Sequence, residues 1–327
     1  MQEPNLAAQN KKKSALKKLL SYENIGVLAM LVVLCVGTAF VNPNFLSSEN
    51  VVNLLRKLSL ISFISIGMAF VIIGGGIDLS ADSVIGLGGI MAGVLMQAGW
   101  HPLLAVLCSL LVGALFGFIN GFFVTKLDIP PFIVTMGTLY IAKGCVNVIC
   151  KGRPIYPLND SFIALCDKLA PLGVPLSVWV MIALTAVAAF ILNKTPYGRS
   201  ITAAGGNEKA AVMCGIKVAR MRMISYVVMG LLSAFTGVLL AARLNSAHPA
   251  SGDGWGLKAI ASAIIGGVSV TGGKGTIMGA MIGAAIMAVL EIAMVMMKVS
   301  VYWQNIVVGV IIIAAVVLDR FKRKKQA

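Results

Sequence analysis

Long apolar runs, separated by short polar or glycine-rich breaks, follow one another along almost the whole sequence. A helix that crosses a bilayer needs roughly 20 mostly apolar residues, and runs of about that length recur from residue 25 onward. Their boundaries are loosest at short runs such as the eighth. We predict membrane spans near 25–42, 59–76, 81–99, 102–124, 130–149, 176–193, 222–242, 256–271, 275–297 and 302–319.

Composition supports a membrane protein, because 58% of the 327 residues are hydrophobic, whereas soluble domains are about 45–50% apolar. No stretch between the spans is long enough for a soluble domain. We therefore predict one membrane domain at 25–319, with a basic segment at 1–24 and a basic tail at 320–327. No small-residue cleavage site follows the first run, so we expect that run to remain in the mature protein. The predicted fold class is all-α, a polytopic bundle of about ten transmembrane helices.

The formal net charge of +15 is concentrated beside the spans: five lysines at 11–18, five basic residues at 320–325 and six at 194–222. Cytoplasmic loops carry an excess of Lys and Arg, and basic flanks contact anionic lipid headgroups. Ten spans then place both termini and the 194–222 stretch in the cytoplasm. Arg56 and Lys57 are exceptions, which snorkelling at a span end would explain. No aromatic residues interleave with the basic clusters to stack on bases, so we predict no nucleic-acid binding.

Glycine and alanine are frequent inside the spans, as in GLGGIMAG and GAMIGAAIM. Small residues let helices approach closely in lipid, so we predict a tightly packed bundle. The segment IIGG at 72–75 recurs at 264–267, 192 residues later. Internal repeats of this kind are common in transporters, and chance similarity between two glycine-rich hairpins explains the match equally well.

The six cysteines share no spacing typical of a metal site, and most lie in or beside apolar runs, so we interpret them as small buried hydrophobes. Cys150 and Cys166 bracket one predicted outer loop, and whether they pair is left open. No metal site is predicted.

Several polar residues lie inside or beside the apolar runs, where a bare carboxylate or amide is poorly tolerated. One interpretation is structural: Asp78 or Ser80 caps the third span, and threonines bond between helices. The other is functional, because such groups can line a substrate pathway. The candidates for that pathway are Asp78, Ser80, Asn120, Thr135, Thr138 and Glu291.

The sequence lacks the motifs of several functional classes. It has no series of buried carboxylates and histidines for a proton relay, and no Ser/His/Asp or HExxH constellation, so no catalytic residue is predicted. The segment VTGGKGT is not a phosphate-binding loop, because Lys274 is followed by Gly275 rather than Ser or Thr. We therefore expect no nucleotide to bind this chain.

Residues 203–216, AAGGNEKAAVMCGI, predict a short helix outside the membrane. Asn207 is a good N-cap after two flexible glycines, Glu208 suits the positive end of the helix dipole, and Gly215 is placed to end the helix. Small side chains would give it a smooth face on which a partner can lie. The alternative is a surface helix that rests on lipid headgroups.

Four segments together carry a resemblance to a known family, and they extend from about residue 70 to 275. Glu208-Lys209-Ala210-Ala211 followed by Gly215 resembles the EAA-type coupling loop of ABC-importer permeases, with Lys209 in place of the usual alanine. More narrowly, the chain resembles the monosaccharide branch of ribose, allose and galactose permeases. The segments are GGGIDLSADSVIGLGG, FINGFFVTKLDIPPFIVTMGT, TPYGRSITAAGGNEKAAVMCGI and ARLNSAHPASGDGWGLKAIASAIIGGVSVTGGKG.

The resemblance implies a homodimeric permease of the bacterial inner membrane that works with two other proteins. One is an ATPase that carries two nucleotide-binding domains, with its ATP and Mg, and docks on the 194–221 loop; this chain itself would hold no cofactor. The other is a periplasmic or lipoprotein sugar-binding protein, for which Arg153 and Arg243 are docking candidates, although both could equally be snorkelling anchors. The implied ATPase-coupling residues are Gly205, Gly206, Asn207, Glu208, Ala210, Ala211 and Gly215.

The main functional hypothesis is therefore the pore-forming permease subunit of an ATP-driven monosaccharide importer. The alternative is a self-sufficient secondary transporter or facilitator, suggested by the IIGG echo and by the interrupted helices. A membrane enzyme has little support. The sequence leaves open which sugar, polyol or autoinducer-like molecule is carried.

Overall fold

The computed structural model describes residues 25–167, 169–170 and 173–324, and among these it describes no side chains at 25, 164–167, 169–170 and 318–324. The predicted N-terminal segment 1–24, the last residues of the tail and the side chain of Cys166 therefore lie outside the described part. The helices are α1 Ile25–Val41, α2 Ser48–Ile73, α3 Ala81–Gln97, α4 Pro102–Lys126, α5 Pro131–Cys150, α6 Asp160–Asp167, α7 Leu176–Lys194, α8 Pro196–Gly206, α9 Glu208–Met213, α10 Val218–Leu244, α11 Trp255–Ile265, α12 Ile277–Met296 and α13 Val301–Lys324. A 3₁₀ turn at Pro43–Leu46 precedes α2, and a two-residue antiparallel pair, β1 Leu169–Ala170 with β2 Val174–Pro175, precedes α7.

Six of the described helices are long and apolar enough to cross a membrane: α2, α4, α5, α7, α10 and α12. Four shorter apolar helices, within α1, α3, α11 and α13, occupy the other predicted span positions. The polytopic helical fold is thus confirmed, and the number of ten crossings stays a prediction. The two largest boundary differences are that α2 begins at Ser48, well before residue 59, and that α11 ends at Ile265 because Gly266 and Gly267 turn the chain.

Helices α2 and α10 form the centre of the bundle, where most of the second half of α2 and much of α10 are buried. Glycine lets the backbones touch, as the small-residue pattern predicts. A Cβ atom on Gly113 or Gly117 of α4 would overlap the carbonyl oxygens of Gly230 and Tyr226 on α10. The bundle therefore packs closely at its centre through backbone contacts that larger residues would prevent.

The outward faces of α4, α5 and α7 carry exposed apolar side chains, among them Leu111, Val148 and Phe190. In water such a surface would favour aggregation. Lipid tails or another subunit can cover it without depriving any polar group of its hydrogen bonds. This distribution fits a bundle whose polar contacts lie inside.

Two non-helical segments come close to Asp82, the second residue of α3. The first is 74–80, between α2 and α3, and the second is 245–254, between α10 and α11. The Asp82 carboxylate accepts hydrogen bonds from the backbone N–H of Gly254, at 2.9 Å, and of Gly256. Irregular backbone inside a membrane protein needs such internal partners, and here α3 and α11 both begin at one carboxylate.

The IIGG echo corresponds to two turns with the same hydrogen bonds. Gly74 and Gly266 end α2 and α11, and each donates to the carbonyl four residues earlier. The next glycine, Gly75 or Gly267, has a positive φ of 84° or 87°. It donates three residues back, and the following residue donates five back. The repeated sequence thus encodes a repeated helix ending.

Candidate functional site

The predicted coupling helix is present as α9, and its boundaries have local causes. Asn207 is the N-cap, and its side chain accepts from the N–H of Ala210 at 3.0 Å. Gly215 follows the helix with a φ of 79°, which favours glycine. The prediction that Gly205 and Gly206 are a flexible lead is wrong, because both belong to the last turn of α8.

One side of α9 is fixed to the bundle and the other is exposed. Ala211 is buried against Ala204 and Val218, whereas Val212 and Met213 are 57% and 89% exposed. Ala210 is exposed as well. The exposed part of α9 therefore carries apolar side chains beside the charged Glu208 and Lys209. It is less smooth than predicted, since the larger side chains point outward and one of the two alanines points inward.

Three glycine segments meet where α8 ends, and we call this contact the glycine junction: 74–76, 205–206 and 272–273. Gly272 and Gly273 have positive φ angles of 83° and 74°, and the N–H of Gly273 donates to the carbonyl of Ile73 at 2.9 Å. A Cβ atom on Gly205 would overlap that same carbonyl oxygen. The backbones of α2, α8 and the loop before α12 are consequently in direct contact, immediately before α9.

Helix α8 is also attached to α10 by a partly buried phenol. The hydroxyl groups of Tyr197 and Ser225 lie 2.9 Å apart. Burial raises the pKa of Tyr197 to about 12, although the bond with Ser225 lowers it. Tyr197 therefore stays neutral and anchors α8 by packing and hydrogen bonding.

An ion pair joins α9 to α10. Glu208, the first residue of α9, accepts from Nη1 of Arg222 at 2.9 Å, and Nε of Arg222 donates to the carbonyl of Gly74 at 2.7 Å. From the sequence, Arg222 contributed only to the prediction of membrane topology. Arg222 is the fifth residue of an otherwise largely apolar helix. That position was the sequence feature that could have predicted a buried partner for its charge.

Four of the six predicted pathway residues form one buried hydrogen-bond network. Oδ1 of Asp78 accepts from the N–H of Ser80 at 2.9 Å and from its hydroxyl at 2.6 Å. Asn120 on α4 donates to the Ser80 hydroxyl at 2.8 Å and accepts from Thr138 on α5 at 2.6 Å. Asp78 accepts a backbone N–H as predicted, but from Ser80, which is itself the N-cap of α3 and makes no side-chain cap. The network fixes the start of α3 against α4 and α5.

The side chains of the other two candidates bond outside this network. Thr135 donates to the carbonyl of Pro131 within α5, at 2.8 Å, rather than to another helix. Glu291 on α12 pairs with Lys57 on α2 and with Lys258 on α11, the latter at 2.7 Å. Lys258 also lies 5.5 Å from the ring centroid of Trp255.

We call Lys57, Lys258 and Glu291 the charged triad. Of these three residues, only Glu291 was predicted from the sequence as a pathway candidate. The carboxylate is 4% exposed, while the two lysine side chains are 27% and 18% exposed. Lys57 is therefore an interior ion-pair partner, and its interpretation as a snorkelling side chain at a span end is wrong. Since lysines seldom occur within apolar helices without a partner or a wet cavity, Lys57 and Lys258 were detectable from sequence.

The predicted docking arginines lie at the end of the bundle opposite α9. Arg243 is near the last residue of α10, whose 27 residues extend roughly 40 Å from the α9 end. The segment after Arg153 pairs with the segment after Arg243, through Ile155 and Ala247 at 2.9 and 3.0 Å. Both arginines are exposed. No cluster of potential metal ligands occurs among the described residues, and Cys150 is a free, buried thiol.

Comparison with known proteins gives consistent matches along most of the chain. Residues 50–316 match the family described as "Branched-chain amino acid transport system / permease component". The ribose import permease protein RbsC of Bacillus subtilis (strain 168) is 38% identical over 301 residues, 92% of this chain and 94% of that protein. RbsC of Escherichia coli (strain K12) is 36% identical over 307 residues, 92% and 94% of the two chains. The L-arabinose transport system permease protein AraH of the same strain is 34% identical over 305 residues, 93% of each chain. No solved structure matches the chain.

Proposed function

This chain belongs to the permease-component family that residues 50–316 match, and we propose that it is the pore-forming subunit of an ATP-driven importer of a monosaccharide. The observation that carries the proposal is α9, a short helix with an exposed apolar patch at Val212 and Met213, which is packed on the bundle through Ala211 and directly follows the glycine junction. A chain without a nucleotide site needs such an element to receive work from an ATPase. The chain is a non-catalytic membrane subunit in this scheme.

The partner at α9 is proposed to be an ABC ATPase with two nucleotide-binding domains that hold ATP and Mg. Val212 and Met213 offer it apolar contact area, and Ala210 adds a small exposed side chain beside them. Asn207 and Gly215 define the ends of the helix, so their role is to present it. Gly205 and Gly206 connect it to the junction.

The proposed substrate is an aldose, and the relatives narrow the first choice to pentoses, because their names specify ribose and L-arabinose. A periplasmic or lipoprotein sugar-binding protein would deliver the sugar to the end opposite α9. Arg153 and Arg243 are exposed there and supply positive charge for acidic groups on that protein.

We assign the pathway residues by their accessibility. Asp78, Ser80, Asn120 and Thr138 are buried and bonded to one another, so their proposed part is to hold the end of α3 that borders the pathway. Thr135 supports α5 in the same region. The charged triad has two partly exposed lysines, of which Lys258 lies beside Trp255. Such a combination of charged donors with an aromatic face suits sugar hydroxyls and a pyranose or furanose ring.

The assembly is proposed to be a homodimer in the bacterial inner membrane with both termini, and α9, in the cytoplasm. The exposed apolar faces of α4, α5 and α7 provide surface for lipid and for a second copy. The six basic residues at 194–222 favour this orientation.

The function is tested by capture and by uptake. Met213→Asp places a charge on the exposed face of α9 without touching the buried Ala211, and it should abolish capture of the partner ATPase. Lys209→Gln, on the same short helix, is the control and should capture normally. Proteoliposomes with the chain, the ATPase and the binding protein should take up labelled D-ribose or L-arabinose only with ATP. Uptake by the isolated chain without nucleotide would instead support the secondary transporter.

A further inference from the structure

One guanidinium group joins α9 to the end of α2. Arg222 Nη1 lies 2.9 Å from Oε2 of Glu208, and Nε donates to the carbonyl oxygen of Gly74 at 2.7 Å. Glu208 begins α9, and Gly74 is the residue at which α2 ends. A single side chain therefore bonds both to the exposed helix and to the turn that starts the buried 74–80 segment.

The ion pair with Glu208 contributes little to folding by itself. The Glu208 side chain is 54% exposed, and exposed pairs contribute at most about 1 kcal/mol. The distinctive property of the link is its direction, because a guanidinium is a planar fork whose N–H groups keep fixed angles to one another. A lysine at position 222 would keep the charge but could not hold both acceptors in one geometry.

The turn that Arg222 contacts has little freedom to move separately from α8. The N–H of Gly273 bonds to the carbonyl of Ile73, and Gly205 is in backbone contact with the same carbonyl. The turn continues into Asp78 and the network that fixes α3. A displacement of α9 can therefore reach the turn at Gly74 in two ways, through the backbone of α8 and through the side chain of Arg222.

We propose that Arg222 is a positioning residue for energy coupling, which transmits displacement of α9 to the turn at Gly74 and so to the start of α3. The inference rests on the proposed function, because it requires an ATPase that moves α9. Arg222 does not contact that ATPase in this scheme: its guanidinium is bonded to Glu208 and Gly74, whereas the docking face is formed by Val212 and Met213.

The test uses the complete transporter, with its ATPase and binding protein, in proteoliposomes. Arg222→Lys is compared with Arg220→Lys, an exposed arginine two residues earlier. Both variants should capture the ATPase as well as the wild-type chain does, and both should hydrolyse ATP. Arg222→Lys should take up at least about fivefold less D-ribose or L-arabinose per ATP hydrolysed, while the Arg220→Lys ratio should equal that of the wild type.

Two results would overturn the inference and leave the proposed function standing. In the first, Arg222→Lys keeps the wild-type ratio of sugar to ATP. In the second, it loses ATPase capture or fails to reach the membrane, which would make Arg222 an anchor for α9 or a folding residue. A wild-type chain that captured no ATPase and took up neither sugar would refute the proposed function, and the inference with it.

Discussion

At the scale of single residues, three carboxylates inside the bundle share one physical requirement. A bare carboxylate is costly in an apolar surrounding, and Asp78, Asp82 and Glu291 each have several donors. Their partners differ in kind: a hydroxyl and an amide for Asp78, backbone N–H groups for Asp82, and two ammonium groups for Glu291. Each carboxylate therefore joins elements that are distant in sequence.

We expect Asp82→Ala to destabilise the folded chain by about 1–3 kcal/mol, because the N–H groups of Gly254 and Gly256 would lose their acceptor. Unfolding of the purified chain in detergent measures the effect. Asp253→Ala is the control, since Asp253 makes an exposed pair with Lys143 that is worth about 0–1 kcal/mol. Equal stabilities of the two variants would contradict the assignment of Asp82 as the anchor of α11.

Glu291→Gln should destabilise the chain by roughly 3 kcal/mol, because it leaves two ammonium groups close together without a counter-charge. A second variant that also carries Lys57→Met should recover part of the loss, since one of the two like charges is then gone. Detergent unfolding of the single and the double variant checks this sign. A double variant less stable than Glu291→Gln alone would contradict the explanation by repulsion between the two ammonium groups.

At the scale of elements, glycine decides how closely helices and turns approach. The contact of α4 with α10 and the glycine junction both depend on backbone that carries no Cβ atom. Neighbouring glycines differ sharply, because a Cβ on Gly205 would overlap the carbonyl of Ile73, whereas on Gly206 its nearest neighbour would be 3.7 Å away. Sequence alone does not distinguish these two positions.

Gly205→Ala should therefore force α8 away from α2, at about 1–3 kcal/mol of overpacking, and should lower ATP-driven uptake of D-ribose or L-arabinose in proteoliposomes. Gly206→Ala has room and should transport as the wild type does. Similar uptake by the two variants would mean that the junction does not need backbone contact. Western blotting of membranes establishes that both variants insert.

The elements that sequence predicted well were those with local causes. Periodic apolar runs located most helices, and the caps of α9 followed from Asn207 and Gly215 alone. What could not be predicted depends on partners far along the chain: the length of α2 beyond its apolar run, the pairing of Lys57 with Glu291, and the meeting of α3 and α11 at Asp82. The network of Asp78, Ser80, Asn120 and Thr138 was foreseen as a set of polar residues but not as a contact.

At the scale of the whole molecule, the two ends of the bundle differ in structure. One end has α9 and the glycine junction, and the other has the paired segments after Arg153 and Arg243. The long central helices connect them, and the charged triad lies between. An importer needs two different ends, because its substrate is delivered on one side of the membrane and ATP is hydrolysed on the other.

The orientation can be measured with a membrane-impermeant maleimide, because Cys214 beside α9 is exposed. We expect the reagent to label Cys214 in inverted vesicles and not in intact spheroplasts, with Cys214→Ser as the subtraction control. Tyr156→Cys in that background, at an exposed site of the opposite end, should show the reverse pattern. Labelling of Cys214 from outside would place α9 away from any cytoplasmic ATPase.

The bonds from Asp82 to Gly254 and Gly256 also constrain how the nascent chain matures. Asp82 leaves the ribosome 172 residues before Gly254 does, an interval of roughly 10–30 s at ordinary rates of translation. During that time the side chain lacks its final donors while the surrounding helices are already being inserted. The first third of the protein therefore cannot complete its hydrogen bonds until the last third has been synthesised. An insertase or chaperone that shelters an unpaired acid would speed its biogenesis.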